Sequence, residues 1–286
     1  MIIWLASYPK SGNTFLRSLL TSYLLTEDGK FDEKKLKEIN QFPNLSLFKN
    51  IGIDTSDDLE IVKNYIKAQE KINSLDGNKI RFVKTHSSLN DINGYKFTDL
   101  KNTLGVIYVV RDPRSVVRSY ANHNQLSLED ATNRLLEFGA TIGGIKNSDF
   151  GSNQIITHMG SWSSNYNTWK EFKKTNSYLL VKYEDLVMDT KNTFLQVLNF
   201  IYKLGNSKLE INNSKLKNTI ETTTFESMQK LEKQKGFTES VIDDNGKNIK
   251  FFKYGYKKNE KNILPQELKK KIETELKVEM NELGYL

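Results

Sequence analysis

Hydrophobic positions along the chain fall into short continuous runs separated by longer segments of mixed polarity. Four runs are too short for helices and predict buried strands, at residues 2–6, 80–83, 106–110 and 178–181. Continuous apolar runs that alternate with helical segments are typical of a parallel sheet covered on both faces. The pattern therefore predicts an α/β fold with a central parallel β-sheet flanked by helices.

Apolar residues recur at helical spacing between these runs. In residues 15–24 they lie on one face of a predicted helix. The same spacing recurs in residues 162–172, which we assign to the core, and in residues 194–201 behind Thr190, a predicted N-cap. The last helix is predicted to open at Pro265, since proline suits the first turn.

Two long segments are polar. Residues 26–78 are lysine-rich and weakly periodic, which predicts surface helices and loops between the first two strands. Residues 125–154 contain Gly143, Gly144 and Gly151, and both a lid and an ordinary connection remain open for such stretches. No repeat or low-complexity tract divides the chain, so we expect a single domain over residues 1–286.

The composition is that of a folded globular protein, with 37% hydrophobic and 27% charged residues. No apolar run is long enough to cross a bilayer, so we expect no stable membrane insertion. The apolar start of the chain lacks a basic leader, so we expect no signal peptide and a cytoplasmic location. The chain has no cysteine, which excludes disulfides and thiolate chemistry.

The net charge of +7 favours an anionic partner. Arginines are few, yet Arg111, Arg114 and Arg118 crowd into eight positions. A guanidinium binds phosphate oxygens in a bidentate manner, so this cluster is a candidate phosphate site. A solvated helix face is the alternative interpretation.

The first strand leads into residues 8–14, Tyr-Pro-Lys-Ser-Gly-Asn-Thr, and then into a predicted helix. This strand–loop–helix arrangement points backbone N–H groups at an anion, with Lys10 as a point charge and Gly12 permitting close approach. The loop is P-loop-like but lacks the early glycine of the G-x-x-x-x-G-K-[ST] pattern, and its lysine precedes the glycine. A kinase or GTPase is therefore disfavoured.

Residues 8–15, Tyr-Pro-Lys-Ser-Gly-Asn-Thr-Phe, resemble the phosphosulfate-binding loop YPKSGTTW of the cytosolic-type sulfotransferase family. Asn13 and Phe15 are the two departures, and Phe15 still offers a face on which adenine can stack. The resemblance implies a donor, 3′-phosphoadenosine 5′-phosphosulfate (PAPS), whose product is 3′,5′-adenosine bisphosphate (PAP). It also implies that the donor is bound by Lys10, Ser11, Gly12, Asn13, Thr14 and Phe15.

Further segments resemble this family in the same order along the chain. Arg111 and Ser119 have the spacing of its 3′-phosphate motif, and both follow the third predicted strand. Lys84 and His86 lie in a Lys-Thr-His segment in which the family's lysine contacts the sulfuryl group and its histidine removes the acceptor's proton. Open α/β sheets bind ligands at strand C-termini, where His86 lies. His123 and His158 are interpreted as packed or surface residues.

Later segments complete the resemblance. Tyr183 stands in a Tyr-Glu-Asp segment whose family tyrosine contacts adenine, and Thr223 and Phe225 lie in one that packs around the base. Four further residues match a phenylalanine–apolar–Arg-Lys-Gly segment, namely Phe251, Phe252, Lys253 and Gly255. The resemblance implies that these four residues bind the donor. Lys253 replaces the family arginine, so a bidentate contact with the 3′-phosphate becomes a point-charge contact. The family's Gly-Asp-Trp is absent around Asn259 and Glu260.

The resemblance implies sulfuryl transfer by in-line displacement to a hydroxyl or amine, with Lys10, Lys84, His86 and Ser119 as catalytic residues. The sequence shows no clustered metal ligands and no acidic run after a strand, so we expect no metal. We expect a small-molecule, glycan or lipid acceptor and no nucleic acid, because basic and aromatic residues do not interleave. Two alternatives remain: a P-loop-type small-molecule kinase and a non-catalytic nucleotide-binding protein.

Overall fold

The computed structural model describes residues 1–75, 79–143, 155–243, 246, 248–255 and 264–286. Four residues discussed above lie outside these ranges: Gly144, Gly151, Asn259 and Glu260. The strands are β1 (Ile2–Ser7), β2 (Arg81–Thr85), β3 (Thr103–Val110), β4 (Thr141–Ile142), β5 (Thr157–His158), β6 (Tyr178–Lys182), β7 (Val241–Ile242) and β8 (Asn248–Ile249).

The α-helices are α1 (Asn13–Leu25), α2 (Glu33–Leu36), α3 (Leu45–Asn50), α4 (Asp58–Lys63), α5 (Tyr65–Ser74), α6 (Pro113–Asn124), α7 (Leu128–Leu136), α8 (Trp162–Lys170), α9 (Tyr183–Met188), α10 (Thr190–Leu204), α11 (Asn213–Thr222), α12 (Phe225–Lys235), α13 (Gln266–Glu275) and α14 (Lys277–Glu282). A 3₁₀ helix (Glu171–Thr175) follows α8.

The central sheet is parallel, and its strands lie in the order β2-β1-β3-β6. Trp4 in the second strand of this order lies beside Val83 on one side and Val106 on the other. All four predicted strands are present, and the predicted α/β fold with a central parallel sheet is confirmed.

Both faces of the sheet are buried. Successive side chains of a strand point to opposite faces, so the side chains of β1 enter two different hydrophobic clusters. Ile2, Trp4 and Ala6 belong to one hydrophobic cluster, and Ile3 and Leu5 belong to another. The two clusters together cover the sheet with helices on each side, which explains why the strands read as unbroken apolar runs.

The prediction that residues 26–78 form only surface structure is wrong. Phe42, Phe48 and Tyr65 are almost fully buried, and Phe42 packs edge-on against Trp4 with ring centroids 5.6 Å apart. Phe42 lies in the connection between α2 and α3, Phe48 in α3 and Tyr65 in α5, so no single helix carries a recognisable apolar stripe. The segment therefore contributes to the main core despite its polar composition.

Two predicted helix starts shift by one residue. Thr190 is the first residue of α10, and Asp189 is the N-cap, with its carboxylate accepting the backbone N–H of Asn192 at 3.2 Å. Pro265 is in the N-cap position of α13 with ψ of 140°, so the helix begins at Gln266. An extended cap residue is the usual geometry at a helix start.

The chain leaves β1, forms β2 on one side of it and then forms β3 on its other side. The direction of the connections thus reverses at β1, and open α/β sheets bind ligands at such a point, beyond the carboxyl ends of the strands. The loop at residues 8–12 and Arg111 both lie at this edge.

A third hydrophobic cluster is small and separate from the main core. Leu36, Met228 and Phe237 form its buried centre, and Phe251 and Phe252 pack against them. We call this group the satellite cluster. In the part of the chain that the structure describes, no helix is both long and apolar enough to span a membrane.

Candidate active site

A cavity of roughly 1260 Å³ opens at the carboxyl edge of the sheet. It brings together most of the predicted site residues: Lys10, Gly12, Asn13, Thr14, Phe15, Lys84, His86, Arg111, Ser119, Tyr183, Thr223, Phe225, Phe251, Phe252 and Gly255. Ser11 and Lys253 are the predicted residues that do not line it. Residues separated by more than 200 positions therefore meet in one space.

The loop after β1 has a conformation that requires glycine. Gly12 is the N-cap of α1 with φ of 101°, in the left-handed region. A Cβ atom there would lie 2.4 Å from Cδ2 of Tyr183, so the ring and the loop approach as closely as they do only because residue 12 has no side chain. Within the part of the chain that the structure describes, no side chain caps α1, so backbone N–H groups of its first turn can face an anion.

Asn13 lines the cavity and Ser11 does not, and both side chains are buried. The Asn13 amide donates to the Leu5 carbonyl at 2.9 Å and to the Ser7 hydroxyl at 3.2 Å, so it braces β1. The Ser11 hydroxyl is buried and has no hydrogen-bond partner among the described residues. The Ser11 backbone N–H donates to the Tyr8 carbonyl at 3.3 Å, which closes the turn of the loop.

The ammonium of Lys10 lies over the ring of Phe251, 3.9 Å from its centroid. Burial, together with the positive charges of Lys84 and Arg111, lowers the pKa of Lys10 to about 7, although Glu239 opposes the shift. A lysine with this pKa is partly neutral at physiological pH and gains from an anionic ligand. Lys10 is thus set up to bind negative charge.

Arg111 follows β3 and is buried, with its guanidinium 4.4 Å from the ring centroid of Tyr183. One Nη donates to the Lys10 carbonyl at 3.4 Å, while Nε is buried without a hydrogen-bond partner among the described residues. A buried guanidinium with a spare donor fits a phosphate group. In contrast, Arg114 bonds Asp112 and Glu273, and Arg118 lies over Tyr254.

Ser119 and His123 lie one turn apart on α6, so they share the face that lines the cavity. The His123 ring is perpendicular to that of Phe251, with centroids 5.9 Å apart. Burial, followed by the charges of Lys10 and Lys84, lowers the pKa of His123 to about 3, so the ring is neutral. The interpretation of His123 as a packed or surface residue therefore missed a cavity residue.

His86 directly follows β2, and its protonation is set by its surroundings. Nδ1 lies 2.8 Å from the Ser7 carbonyl, which can only accept, so Nδ1 carries the proton. Nε2 then bears a lone pair. Burial and the nearby Lys84 lower the pKa of His86 to about 3, which keeps the ring neutral. The Asn165 amide holds the His86 backbone carbonyl at 2.9 Å. These contacts fix the position of the ring and leave Nε2 as its proton-accepting atom.

Glu239 and Arg17 belong to the site although nothing in the sequence pattern singled them out. The Glu239 carboxylate accepts from Arg17 Nη1 at 2.5 Å and from the Thr14 hydroxyl at 2.6 Å, and it lies 3.8 Å from Lys84 Nζ. Burial raises the pKa of Glu239, but Lys84, Arg17 and the Thr14 hydroxyl outweigh it and lower the pKa overall. Arg17 lies one turn after Thr14 on α1, and this helical spacing is the local feature of the sequence that could have placed Arg17 near the site.

The C-terminal wall of the cavity is held by α12. Glu232 accepts the backbone N–H groups of Phe251 at 2.6 Å and Phe252 at 3.0 Å. A Cβ on Gly255 would lie 3.1 Å from the Phe225 ring, so the backbone of residue 255 packs closely against this ring. The Thr223 hydroxyl donates to the Thr219 carbonyl at 2.7 Å.

Lys253 does not point its charge into the cavity. Its ammonium donates to Asn122 Oδ1 at 2.8 Å and lies 5.1 Å from the ring centroid of Tyr254. The contact ties the C-terminal wall to α6. Within the described residues, no group of three or more His, Asp or Glu side chains is arranged to hold a metal ion.

The chain matches the family model described as a sulfotransferase domain over residues 2–284. It is 25% identical to luciferin sulfotransferase of Photinus pyralis over 234 residues, which cover 79% of this chain and 56% of that protein. It is also 25% identical to human sulfotransferase 4A1 over 203 residues, covering 70% of this chain and 59% of the other. The alignments thus span little more than half the length of these relatives.

Solved structures share the fold. Mouse sulfotransferase SULT7A1 complexed with PAP matches with a TM-score of 0.59 and 18% identity, covering 97% of this chain and 83% of that one. Retinol dehydratase in complex with retinol and PAP matches with a TM-score of 0.62 and 16% identity, covering 98% and 81%. At these identities the comparison concerns the fold.

Proposed function

Because the chain belongs to the sulfotransferase domain family, we propose that it transfers a sulfuryl group from PAPS to a hydroxyl or amine of an acceptor. One observation carries the proposal: a neutral His86 with a lone pair on Nε2 lines the same cavity as Lys10, Lys84 and Arg111. A base and three cations around one space suit the transfer of an anionic group.

The donor would be held at both of its phosphate ends. The spare donor of Arg111 and the hydroxyl of Ser119 would bind the 3′-phosphate, while the first turn of α1 and Lys10 would bind the 5′-phosphosulfate. The adenine would stack among four of the aromatic residues that line the cavity, namely Phe15, Tyr183, Phe225 and Phe252.

PAPS supplies a sulfuryl group on a good leaving phosphate. His86 Nε2 accepts the acceptor's proton while the acceptor's oxygen or nitrogen forms its bond to sulfur. The bond from sulfur to the 5′-phosphate oxygen breaks at the same time, and the charge that develops on this oxygen is stabilised by Lys10. Lys84 holds the sulfuryl oxygens, and PAP leaves with the electron pair of the broken bond.

The family match does not favour the kinase alternative. A protein that only binds nucleotides would have no need of a neutral histidine with its proton held on Nδ1. The acceptor class (small molecule, glycan or lipid) remains open in this proposal. The absence of a metal requirement, the cytoplasmic location and the single domain over residues 1–286 stay predictions.

The test compares two labelled donors in separate reactions. The protein is incubated with PAPS labelled in its sulfuryl group, or with ATP labelled in its γ-phosphate and Mg²⁺. Both reactions contain the same panel of phenol, steroid, amine and sugar acceptors. We expect sulfur label on at least one acceptor and no phosphate label. Phosphate transfer without sulfuryl transfer would overturn the proposal in favour of a kinase.

A further inference from the structure

A carboxylate lies among the groups to which we assign the donor's phosphosulfate. Glu239 accepts the Thr14 hydroxyl at 2.6 Å, and its other oxygen lies 3.8 Å from the Lys84 ammonium. Its negative charge also acts on Lys10. The carboxylate thus occupies the position of an anionic ligand with respect to two of the site's donors.

The Thr14 hydroxyl cannot serve two acceptors. It has one proton, so donation to Glu239 excludes donation to a phosphate oxygen. A second anion beside Glu239 would also suffer like-charge repulsion in a largely buried space. Donor binding at Thr14 therefore requires the Glu239 carboxylate to give up this hydrogen bond.

The segment that carries Glu239 is attached to the wall that would bind adenine. Its neighbour Phe237 packs against Phe251 and Phe252, with ring centroids 5.2 Å and 4.9 Å apart. Glu232 binds the Ser240 hydroxyl at 2.8 Å as well as the backbone of those two phenylalanines. Occupation of the adenine wall and displacement of Glu239 thus act on one packed unit.

We propose that Glu239 sets the affinity of this site for its donor, because its carboxylate competes with the donor's 5′-phosphosulfate for Thr14 and Lys84. The inference rests on the proposed function for the identity of the donor. Glu239 is unsuited to act as the base, since Arg17 and Lys84 stabilise its charge and weaken its attraction for a proton.

The test compares Glu239→Gln with Glu273→Gln. Each of these glutamates accepts from an arginine at 2.5 Å, but Glu273 pairs with Arg114 and does not line the cavity. Calorimetry measures the dissociation constants of PAP and of inorganic pyrophosphate for the wild type and both variants. Thermal unfolding of each protein shows that it is folded.

We expect Glu239→Gln to bind PAP at least about tenfold more tightly than the wild type, and Glu273→Gln to bind it unchanged. Unchanged or weaker binding by Glu239→Gln would overturn the inference. If no protein binds PAP but Glu239→Gln binds pyrophosphate more tightly, the competition stands and the proposed donor is wrong. Should Glu239→Gln fail to fold, Glu239→Asp, whose carboxylate is withdrawn from Thr14, must show a gain in the same direction.

Discussion

The site has two halves that are held in different ways. The strand-edge half, which contains Lys10, Lys84, His86 and Arg111, extends directly from β1, β2 and β3, whose faces are buried by the two large clusters. The C-terminal half, residues 223–243, 246 and 248–255, is held by the much smaller satellite cluster and by Glu232. The groups assigned to chemistry thus lie at the ends of strands that are buried in the main core. The second half contains two of the aromatic residues proposed to stack on adenine, and Glu239, the proposed competitor of the donor.

The largest expected effect concerns what stabilises each half. Phe42→Ala should lower the free energy of unfolding by about 3–5 kcal/mol, because Phe42 is fully buried among aromatic rings. Phe237→Ala, in the satellite cluster, should cost roughly 1–2 kcal/mol, which is ordinary for a point substitution. Denaturant unfolding measures both values.

Binding should show the opposite order. Among folded molecules, Phe237→Ala should weaken PAP binding more than Phe42→Ala, since Phe237 packs against the wall assigned to adenine. Equal losses of stability in the two variants would mean that the satellite cluster is part of the main core.

The next effect separates two cations that the sequence assigned to the same phosphate. Arg111→Ala should weaken PAP binding by about 1.5–3 kcal/mol and leave AMP binding much less affected, because a charge-assisted pair to the 3′-phosphate is lost. Lys253→Ala should change PAP binding by no more than about 0.5 kcal/mol, since its ammonium is bonded to Asn122 outside the cavity. Calorimetry with PAP and AMP measures these affinities. Equal losses of PAP affinity in the two variants would mean that Lys253 also binds the 3′-phosphate.

The smallest effect is a dependence of donor affinity on pH. The pKa of Lys10 is about 7, so Lys10 is charged below pH 7 and neutral above it. An anionic ligand binds the charged form, so PAP affinity should fall as pH rises through 7, by at most about tenfold per pH unit. Lys10→Arg stays charged throughout this range and is the matched control. A wild-type profile that parallels the Lys10→Arg profile between pH 6 and 9 would contradict this role.

The two halves also differ in how far the sequence predicts them. Short apolar runs located the strands, and strand ends led directly to Lys10, His86 and Arg111. The position of Glu239 in the site could not be predicted, because it follows from contacts with Thr14 and Arg17 across 225 and 222 positions. For the same reason the resemblance placed Lys253 at the phosphate, whereas its side chain reaches Asn122. Local pattern describes the sheet and its edge, and long-range packing decides the second half.

The aromatic residues of the 26–78 segment illustrate the same limit within the core. Phe42, Phe48 and Tyr65 lie in a connection and two different helices, and their rings pack against one another. Phe42 also packs against Trp4 and Phe97. No periodicity connects them in the sequence, so their burial follows from tertiary packing alone.

Whether His86 is the base for sulfuryl transfer is tested by single-turnover transfer of a labelled sulfuryl group from PAPS. His86→Ala is compared with His158→Ala, whose histidine does not line the cavity. We expect His86→Ala to bind PAP normally and to lose roughly 10²–10⁴-fold in rate, with the residual rate rising steeply for more acidic acceptors. His158→Ala should keep the wild-type rate. Normal turnover by His86→Ala would show that His86 is not the base and would make His123 the next candidate for that role.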